Sequence, residues 1–227
     1  TGHTLRHFPQ SFEHSTLGGW IATRSGGHYA TLYTHIDDFV ESTRMVSPTG
    51  IIESRRLPGS GAGPSPDRFV IGSEGILGII TEAWMRIQKR PIYRASCSVE
   101  FKDYEKALTS TRLISQSGLF PANCRLLDAN EALFNGAGDG SSHILILSFE
   151  SADHDMRPWL KRALEIVSSQ NGVYEEPEEK NTQAHRSGSS GTWRNSFIKA
   201  PYYREAFVRR GIIQDTFETS VTWDRGF

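Results

Sequence analysis

The spacing of hydrophobic positions along the chain changes at Pro91. Before it, apolar residues occur in short runs among Gly, Ser, Thr and His. These runs predict a brief helix at 17–23, a hairpin over 41–54 and a strand at 83–87. Residues 57–67 are mostly Pro, Gly and Ser and are therefore predicted to form an exposed loop.

Beyond Pro91 the pattern predicts a small α+β unit. The predicted strands are 95–101, 124–128 and 143–148, and the predicted helices are 104–117, 130–135 and 153–170. This order predicts an antiparallel sheet over 92–178. The acidic segment 175–183 is predicted to be solvated, and 193–211 is predicted to be a basic helix that Pro201 kinks or restarts.

Composition excludes several classes of function. With 227 residues the chain can hold one large domain or two small ones, and its formal net charge of -1 argues against binding nucleic acid. No apolar stretch approaches the ~20 residues of a transmembrane helix. Cys97 and Cys124 are too few for a disulfide framework and are expected to be buried free thiols. No spacing of His, Asp or Glu predicts a metal site. The profile is typical of a cytoplasmic protein in a reducing compartment.

Two glycine-rich segments are the strongest candidates for chemistry: Ser15–Gly27 and Gly72–Glu82. Glycine inside an apolar run costs stability, so its repeated use indicates a close approach of the backbone or a turn. Backbone N–H groups in such turns can donate to an anionic or carbonyl-rich ligand. Neither segment is a dinucleotide fingerprint or a P-loop. A nucleotide-type cofactor site and ordinary tight turns are both compatible with the glycine pattern.

Three segments, in this order along the chain, resemble the alkyldihydroxyacetonephosphate synthase family: His7–Gly27, Gly72–Glu82 and Thr216–Arg225. That family is part of the wider flavoprotein group of vanillyl-alcohol oxidase and p-cresol methylhydroxylase. The resemblance implies FAD as the cofactor and an α+β fold. Residues 1–91 would form the second lobe of a p-cresol methylhydroxylase-type FAD-binding domain. Residues 92–227 would form part of an α+β substrate cap domain with an antiparallel sheet.

The resemblance implies that three stretches line the flavin. They are Gln10, Ser11, Phe12, Glu13, His14, Ser15 and Thr16; Thr23, Arg24, Ser25 and Gly26; and Glu74, Gly75, Ile76, Leu77, Gly78, Ile79 and Ile80. Hydroxyl and backbone N–H groups suit the oxygens of the cofactor, while apolar side chains can flank its rings. Arg24 can supply positive charge near the flavin or a phosphate, with a surface salt bridge as the alternative. Gly26 stands where the family commonly has serine.

Two arginines are implied to bind substrate. Arg204 matches an arginine that holds the phosphate of glycerone phosphate, and its alternative is a solvated charge. Arg125 also matches a family arginine, and its alternative is an ion pair with Asp128. His7 matches a family histidine near the flavin lobe. The catalytic tyrosine and histidines are expected outside this chain, so no catalytic residue is predicted here.

The resemblance implies an FAD-dependent enzyme that exchanges an acyl for an alkyl group on glycerone phosphate through an adduct at flavin N5. One alternative is an FAD-linked oxidase or dehydrogenase of a 2-hydroxy acid or alcohol, and another is a binding module without catalysis. The expected partner is a small-molecule or lipid substrate, phosphorylated or not, and a homodimer is compatible with the resemblance. A eukaryotic protein would be peroxisomal. The chain is expected to be a piece of a longer polypeptide and to bind FAD weakly by itself.

Overall fold

The chain divides into two compact units in the computed structural model, Thr1–Arg90 and Pro91–Phe227. The structure describes residues 1–57, 61, 63–175 and 188–226, with side chains from residue 191 onward in the last range. Part of the predicted loop 57–67 and nearly all of the predicted acidic segment 175–183 lie outside the described residues. Within the described part of the chain, no helix is both long and apolar enough to cross a membrane.

The first unit combines short helices with small antiparallel sheets. Its elements are β1 (His3–Thr4), α1 (Leu17–Ala22), α2 (Ala30–Tyr33), a 3-10 turn (Ile36–Asp38), β2 (Val40–Ser47), β3 (Gly50–Glu53), α3 (Pro66–Val70), β4 (Ile79–Met85) and β5 (Gln88–Lys89). Strand β2 is central in the order β3-β2-β4, and β1 pairs with β5. The predicted helix near 17–23 and the predicted hairpin are confirmed.

Two predictions for this unit need correction. The strand predicted at 83–87 begins earlier, at Ile79, because the apolar run after the last glycine already pairs with β2. The end of the predicted loop 57–67 is helical, since Pro66 occupies the first turn of α3.

Helix α1 is the centre of the first unit. The Thr16 hydroxyl accepts a hydrogen bond from the Gly19 N–H, so this residue caps the helix. Ile21 is fully buried in a cluster with Ile36 and Ile71. A β-carbon on Gly18 would lie 3.2 Å from the Ile80 carbonyl oxygen, so this glycine permits the close packing of α1 on β4.

The second unit is the predicted α+β unit. Its elements are β6 (Tyr93–Phe101), α4 (Tyr104–Ser115), β7 (Asn123–Leu127), α5 (Ala129–Phe134), β8 (His143–Ser151), α6 (Arg157–Ser168), α7 (Gly188–Val208) and a 3-10 turn (Trp223–Arg225). The sheet has the order β6-β8-β7 and is antiparallel throughout, which confirms the α+β fold class. Helix α7 continues through Pro201.

Strand β8 is apolar throughout because both of its faces are covered. Leu145 and Leu147 point toward α4 and α6, whereas Ile144 and Ile146 join a second cluster with Trp193 of α7. Alternation along the strand therefore separates two cores within one unit.

Helix α4 shows where a stripe of apolar residues misleads. Ala107, Leu108, Leu113 and Ile114 form the apolar stripe that predicts this helix; Ala107 and Ile114 are fully buried, but Leu113 is exposed. Ser110 takes the buried position instead, and its hydroxyl donates to the Lys106 carbonyl oxygen at 2.9 Å. This hydrogen bond within the helix offsets the cost of burying the Ser110 hydroxyl.

Both cysteines are free, as predicted. Burial raises the pKa of the Cys124 thiol to about 12. The thiol therefore stays protonated at neutral pH, as expected of a packing residue.

Candidate functional site

The three stretches implied to line the flavin meet around helix α1. The Trp20 indole N–H donates to the Ser15 hydroxyl at 2.7 Å, which ties the stretch before the helix to it. The Ser25 N–H donates to the Trp20 carbonyl oxygen at 3.0 Å. From the glycine run, the Glu74 N–H donates to the Ala22 carbonyl oxygen at 2.9 Å. The structure thus brings all three stretches into one region of the first unit.

Most residues of these stretches are exposed. We call the exposed members the α1 surface: Gln10, Ser11, Glu13, His14, Ser15, Thr16, Thr23, Arg24, Gly26, Glu74, Gly75, Ile76 and Ile79. The remaining five are partly buried: Phe12, Ser25, Leu77, Gly78 and Ile80. Ile76 and Ile79 are 84% and 73% exposed, so two large apolar side chains are uncovered beside polar groups.

Hydrogen bonds within the unit already use several of the predicted hydroxyl donors. Ser15 donates to the Ser11 carbonyl oxygen at 2.7 Å, and Thr23 donates to the Gly19 carbonyl oxygen at 3.0 Å. The Thr16 hydroxyl accepts from a backbone N–H, and no acceptor for its own proton is present among the described residues. Thr16 therefore retains a hydroxyl proton that can be donated to a ligand.

Two backbone donors complete this set. Across the described part of the chain, the N–H groups of Gly75 and Leu77 have no hydrogen-bond acceptor. Their neighbours Ile76 and Gly78 donate to Ser73 and Gly75 carbonyl oxygens, so the turn alternates used and unused donors. Such unused N–H groups favour a ligand with carbonyl or hydroxyl oxygens.

The three glycines of the run, Gly72, Gly75 and Gly78, differ in what surrounds them. Gly78 has φ +150°, and a β-carbon there would lie 2.3 Å from the Val46 carbonyl oxygen. A β-carbon on Gly72, which has φ +80°, would lie 3.4 Å from the Arg24 β-carbon. Gly75 has φ +81° and open space around the β-carbon position. A positive φ favours glycine at all three positions, close approach to backbone additionally requires it at Gly78, and Gly75 borders open space.

Arg24 takes part in a salt bridge. Its Nη2 lies 3.0 Å from Asp37 Oδ2, and Arg68 Nη1 lies 2.7 Å from the same oxygen. Partial burial raises the pKa of Asp37, but the Arg24 hydrogen bond and the two guanidinium charges outweigh it and lower this pKa below its usual 3.8. With Glu13 and Glu74 also exposed, the α1 surface carries no excess of positive charge.

His7 is buried behind this surface. Its Nε2 and the Ser25 hydroxyl are hydrogen-bonded at 2.9 Å, and the ring lies between those of Trp20 and Phe39. Burial, with a smaller contribution from His35, lowers the pKa of His7 to about 4. His7 is therefore neutral at pH 7 and serves as a hydrogen-bond partner of Ser25.

In the second unit, Arg125 lies over aromatic rings. Its guanidinium carbon is 5.1 Å from the centre of the Trp193 ring and 5.7 Å from that of Phe197. Burial lowers the pKa of Arg125, while Glu131 and Glu218 raise it. Two carboxylates thus balance a partly buried charge.

The alternative ion pair between Arg125 and Asp128 is not formed. Asp128 Oδ1 instead accepts the N–H groups of Asn130 and Glu131 at 2.8 and 2.9 Å, which caps helix α5. Capping uses the carboxylate that the sequence places closest to the arginine.

Arg204 lies exposed on α7, two helical turns beyond Phe197. No hydrogen bond or ion pair joins its guanidinium group to another residue that the structure describes. Arg204 does not line the open groove of about 500 Å³ on this helix, which is formed by Tyr202, Glu205, Ala206, Arg209 and Arg210. The side chain is therefore available to a solvent-borne anion.

Sequence reasoning missed three residues of these sites. Trp193 and Phe197, one helical turn apart, support Arg125, and their spacing of four on a helix was a usable signal. Asp37 holds Arg24 from 13 positions away, a relationship without a sequence signal. Among the described residues, no group of three or more His, Cys, Asp or Glu could hold a metal ion.

Comparison with known proteins gives a consistent result. Residues 1–54 match the family described as "FAD binding domain", and residues 90–226 match "FAD linked oxidases, C-terminal domain". Both descriptions name FAD, the cofactor that the sequence resemblance implies.

Similar proteins agree with these matches. The chain is 29% identical to alkyldihydroxyacetonephosphate synthase of Caenorhabditis elegans, over 99% of the chain and 40% of that protein. It is 42% identical to the synthase of Dictyostelium discoideum over 57% of the chain and 21% of that protein. A solved structure of alkyldihydroxyacetonephosphate synthase superposes with a TM-score of 0.73 at 28% identity, covering 91% of this chain and 40% of the other.

The chain spans at most about 40% of the length of these relatives. The second family match nevertheless covers residues 90–226, which is more than half of the chain. The chain belongs to the family of FAD-linked oxidases.

Proposed function

We propose that this chain is part of an FAD-dependent enzyme that exchanges an acyl for an alkyl group on glycerone phosphate. In this proposal residues 1–91 are the second lobe of the FAD-binding domain and residues 92–227 are part of the substrate cap. The observation that carries it is the similarity to a synthase over 99% of the chain. The enzyme of which this chain would be a part is called the complete protein.

Donors in the α1 surface and in the adjoining residue Leu77 fit FAD. The free N–H groups of Gly75 and Leu77 and the Thr16 hydroxyl would donate to oxygens of the cofactor, while Ile76 and Ile79 would cover its ring carbons. When bound, FAD supplies the reactive ring system of the reaction. The chain holds and orients that ring and excludes water from one side of it.

The charges of this surface favour the neutral parts of FAD over its diphosphate. The Arg24 charge is balanced by Asp37, and the α1 surface also carries the exposed side chains of Glu13 and Glu74. A diphosphate placed beside the exposed Glu74 carboxylate would be repelled. We therefore assign the diphosphate contacts to other parts of the complete protein.

For the substrate, we propose that Arg204 binds the phosphate. Its guanidinium is exposed and unpaired among the described residues, and a planar fork of donors matches phosphate oxygens. Arg125 is held over aromatic rings and balanced by carboxylates. It would therefore orient substrate from a fixed position.

Kinetics of the complete protein test the Arg204 assignment. We expect Arg204→Ala to raise KM for an acylated glycerone phosphate by about tenfold or more, with FAD affinity unchanged. Arg210→Ala is the matched control, because this arginine lies on the exposed surface six positions further and donates to the Ala206 carbonyl oxygen. Equal effects of the two variants on KM, or equal losses for substrate and FAD, would contradict the assignment.

A second candidate function is oxidation of a 2-hydroxy acid or alcohol, which the family description "FAD linked oxidases" favours. The two candidates differ in their products. Exchange incorporates a labelled fatty alcohol into product without reducing an electron acceptor. Oxidation consumes the 2-hydroxy acid and reduces oxygen or a dye.

We also propose a homodimer, and a peroxisomal location if the source is eukaryotic. The two free cysteines support a reducing compartment. Sedimentation of the complete protein tests the dimer, and fluorescence microscopy of a tagged copy tests the location.

A further inference from the structure

Asp37 occupies a fixed point of the first unit, on the 3-10 turn between α2 and β2. The neighbouring Ile36 is fully buried in the core of the unit. The Ile36 N–H also donates to the Ser25 carbonyl oxygen at 3.1 Å. The turn is therefore anchored both by packing and by a hydrogen bond to the predicted flavin stretch 23–26.

One carboxylate oxygen of Asp37 holds two separate parts of the chain. Oδ2 accepts from Arg24 Nη2 at 3.0 Å and from Arg68 Nη1 at 2.7 Å. Arg24 belongs to one predicted flavin stretch, and Arg68 belongs to α3, which leads into the other. The Asp37 side chain is 11% exposed, whereas those of Arg24 and Arg68 are 59% and 53% exposed, so a fixed carboxylate holds two guanidinium groups that face solvent.

The two parts that Asp37 joins need to be held. Arg24 has φ +54°, a left-handed conformation that is unfavourable for a residue with a β-carbon. Just after α3 the chain contacts α1 through the Gly72 N–H, which donates to the Ile21 carbonyl oxygen at 2.9 Å. Without Asp37, two guanidinium groups would lie close together with only Asp38, 3.4 Å from Arg68, to balance them.

We propose that Asp37 is a positioning residue of the α1 surface. Through Arg24 and Arg68 it fixes the position of stretch 23–26 relative to stretch 74–80. This inference rests on the proposed function of the α1 surface. Asp37 itself touches neither the cofactor nor the substrate in this account. Its effect is to hold the unused N–H groups of Gly75 and Leu77 at a fixed distance from the Thr16 hydroxyl at the start of helix α1.

Two measurements on Asp37→Asn test the proposal, with Asp38→Asn as the matched control. The first is hydrogen exchange of the Gly72 and Glu74 amides by NMR, without FAD. We expect Asp37→Asn to accelerate both amides by about tenfold and the control to leave them within about twofold. The second is the Kd for FAD of the complete protein, which we expect to rise by about fivefold or more in Asp37→Asn only.

A double-mutant cycle separates positioning from general destabilisation. In the background Arg24→Gln/Arg68→Gln, the additional change Asp37→Asn is expected to have little effect on the Kd for FAD, because its partners are gone. Effects that add fully in this background, or equal effects of Asp37→Asn and Asp38→Asn, would overturn the proposal. If the wild-type complete protein does not bind FAD, the proposed function fails, while the amide exchange rates still decide whether Asp37 joins the two segments.

Discussion

The α-carbon of Gly78 lies so close to Val46 that an added β-carbon would stand 2.3 Å from the Val46 carbonyl oxygen. This contact places the end of the glycine run directly against strand β2. The glycine is thus required by packing within the fold, while Gly75, three positions earlier, borders open space. Two glycines of one motif therefore have separate roles, and substitution distinguishes them.

Gly78→Ala is expected to lower the free energy of unfolding of the first unit by about 3 kcal/mol or more. Both the clash with backbone and the φ of +150° oppose any side chain there. Gly75→Ala has no clash and should cost only about 1 kcal/mol, for its left-handed conformation. Urea denaturation of the two variants measures the difference, and equal costs would contradict the packing explanation.

Thr16 is expected to serve both the fold and the ligand. Thr16→Val removes the helix cap, at a cost of about 1 kcal/mol, and also removes the hydroxyl proton available to FAD. We expect it to raise the Kd for FAD at a temperature where both proteins are folded, whereas Thr16→Ser should restore affinity. Titration calorimetry of the complete protein measures these values. A serine variant no better than valine would show that the hydroxyl does not contact the cofactor.

His7 gives a pH dependence with a defined sign. Its pKa is lowered to about 4 in the folded state, from 6.5. Between these values the unfolded chain binds more protons, so stability is full above pH 6.5 and is lost as the pH falls toward 4. We expect a loss on the order of 2 kcal/mol over this range.

The matched control for this pH dependence is His7→Gln, which removes the titrating group. Unfolding free energies measured at intervals between pH 4 and 8 should show a shallower slope for the variant. Parallel slopes for wild type and His7→Gln would mean that His7 does not titrate as described.

Elements with their own local pattern could be predicted from the sequence. The alternation of Cys97, Val99 and Phe101 predicts a strand with those residues on one face, and all three are buried; Asp103, a residue type that favours helix starts, caps the next helix. The end of helix α4 also follows local rules, since Gly118 has φ +75° just beyond it.

Relationships between distant residues could not be predicted. The Asp37 side chain bonds both Arg24, which follows α1, and Arg68 of α3, and no local pattern encodes that meeting. The ion pair with Asp128, which the sequence leaves open as an alternative role for Arg125, is absent for a similar reason. Nearness in sequence did not reveal that Asp128 was already used by helix α5.

Arg125 is expected to stabilise the second unit through charge and stacking together. Arg125→Met removes the contact of the guanidinium with the rings of Trp193 and Phe197 and its attraction to Glu131, and it should lower the free energy of unfolding by about 1 kcal/mol. Arg125→Lys keeps the charge but not the planar group over Trp193, so an intermediate loss is expected. Thermal unfolding followed by circular dichroism measures both. An Arg125→Met variant as stable as wild type would show that the Arg125 guanidinium does not stabilise the second unit.

Hydrogen exchange of the complete protein with and without FAD decides whether the α1 surface is the flavin site. We expect FAD to protect peptides from 10–16, 23–26 and 74–80, with the backbone of Gly75 and Leu77 among the protected amides. Strand β8 in the second unit, which is already buried, should serve as an unchanged reference. FAD binding without protection in these three stretches would contradict the assignment of the α1 surface as the flavin site.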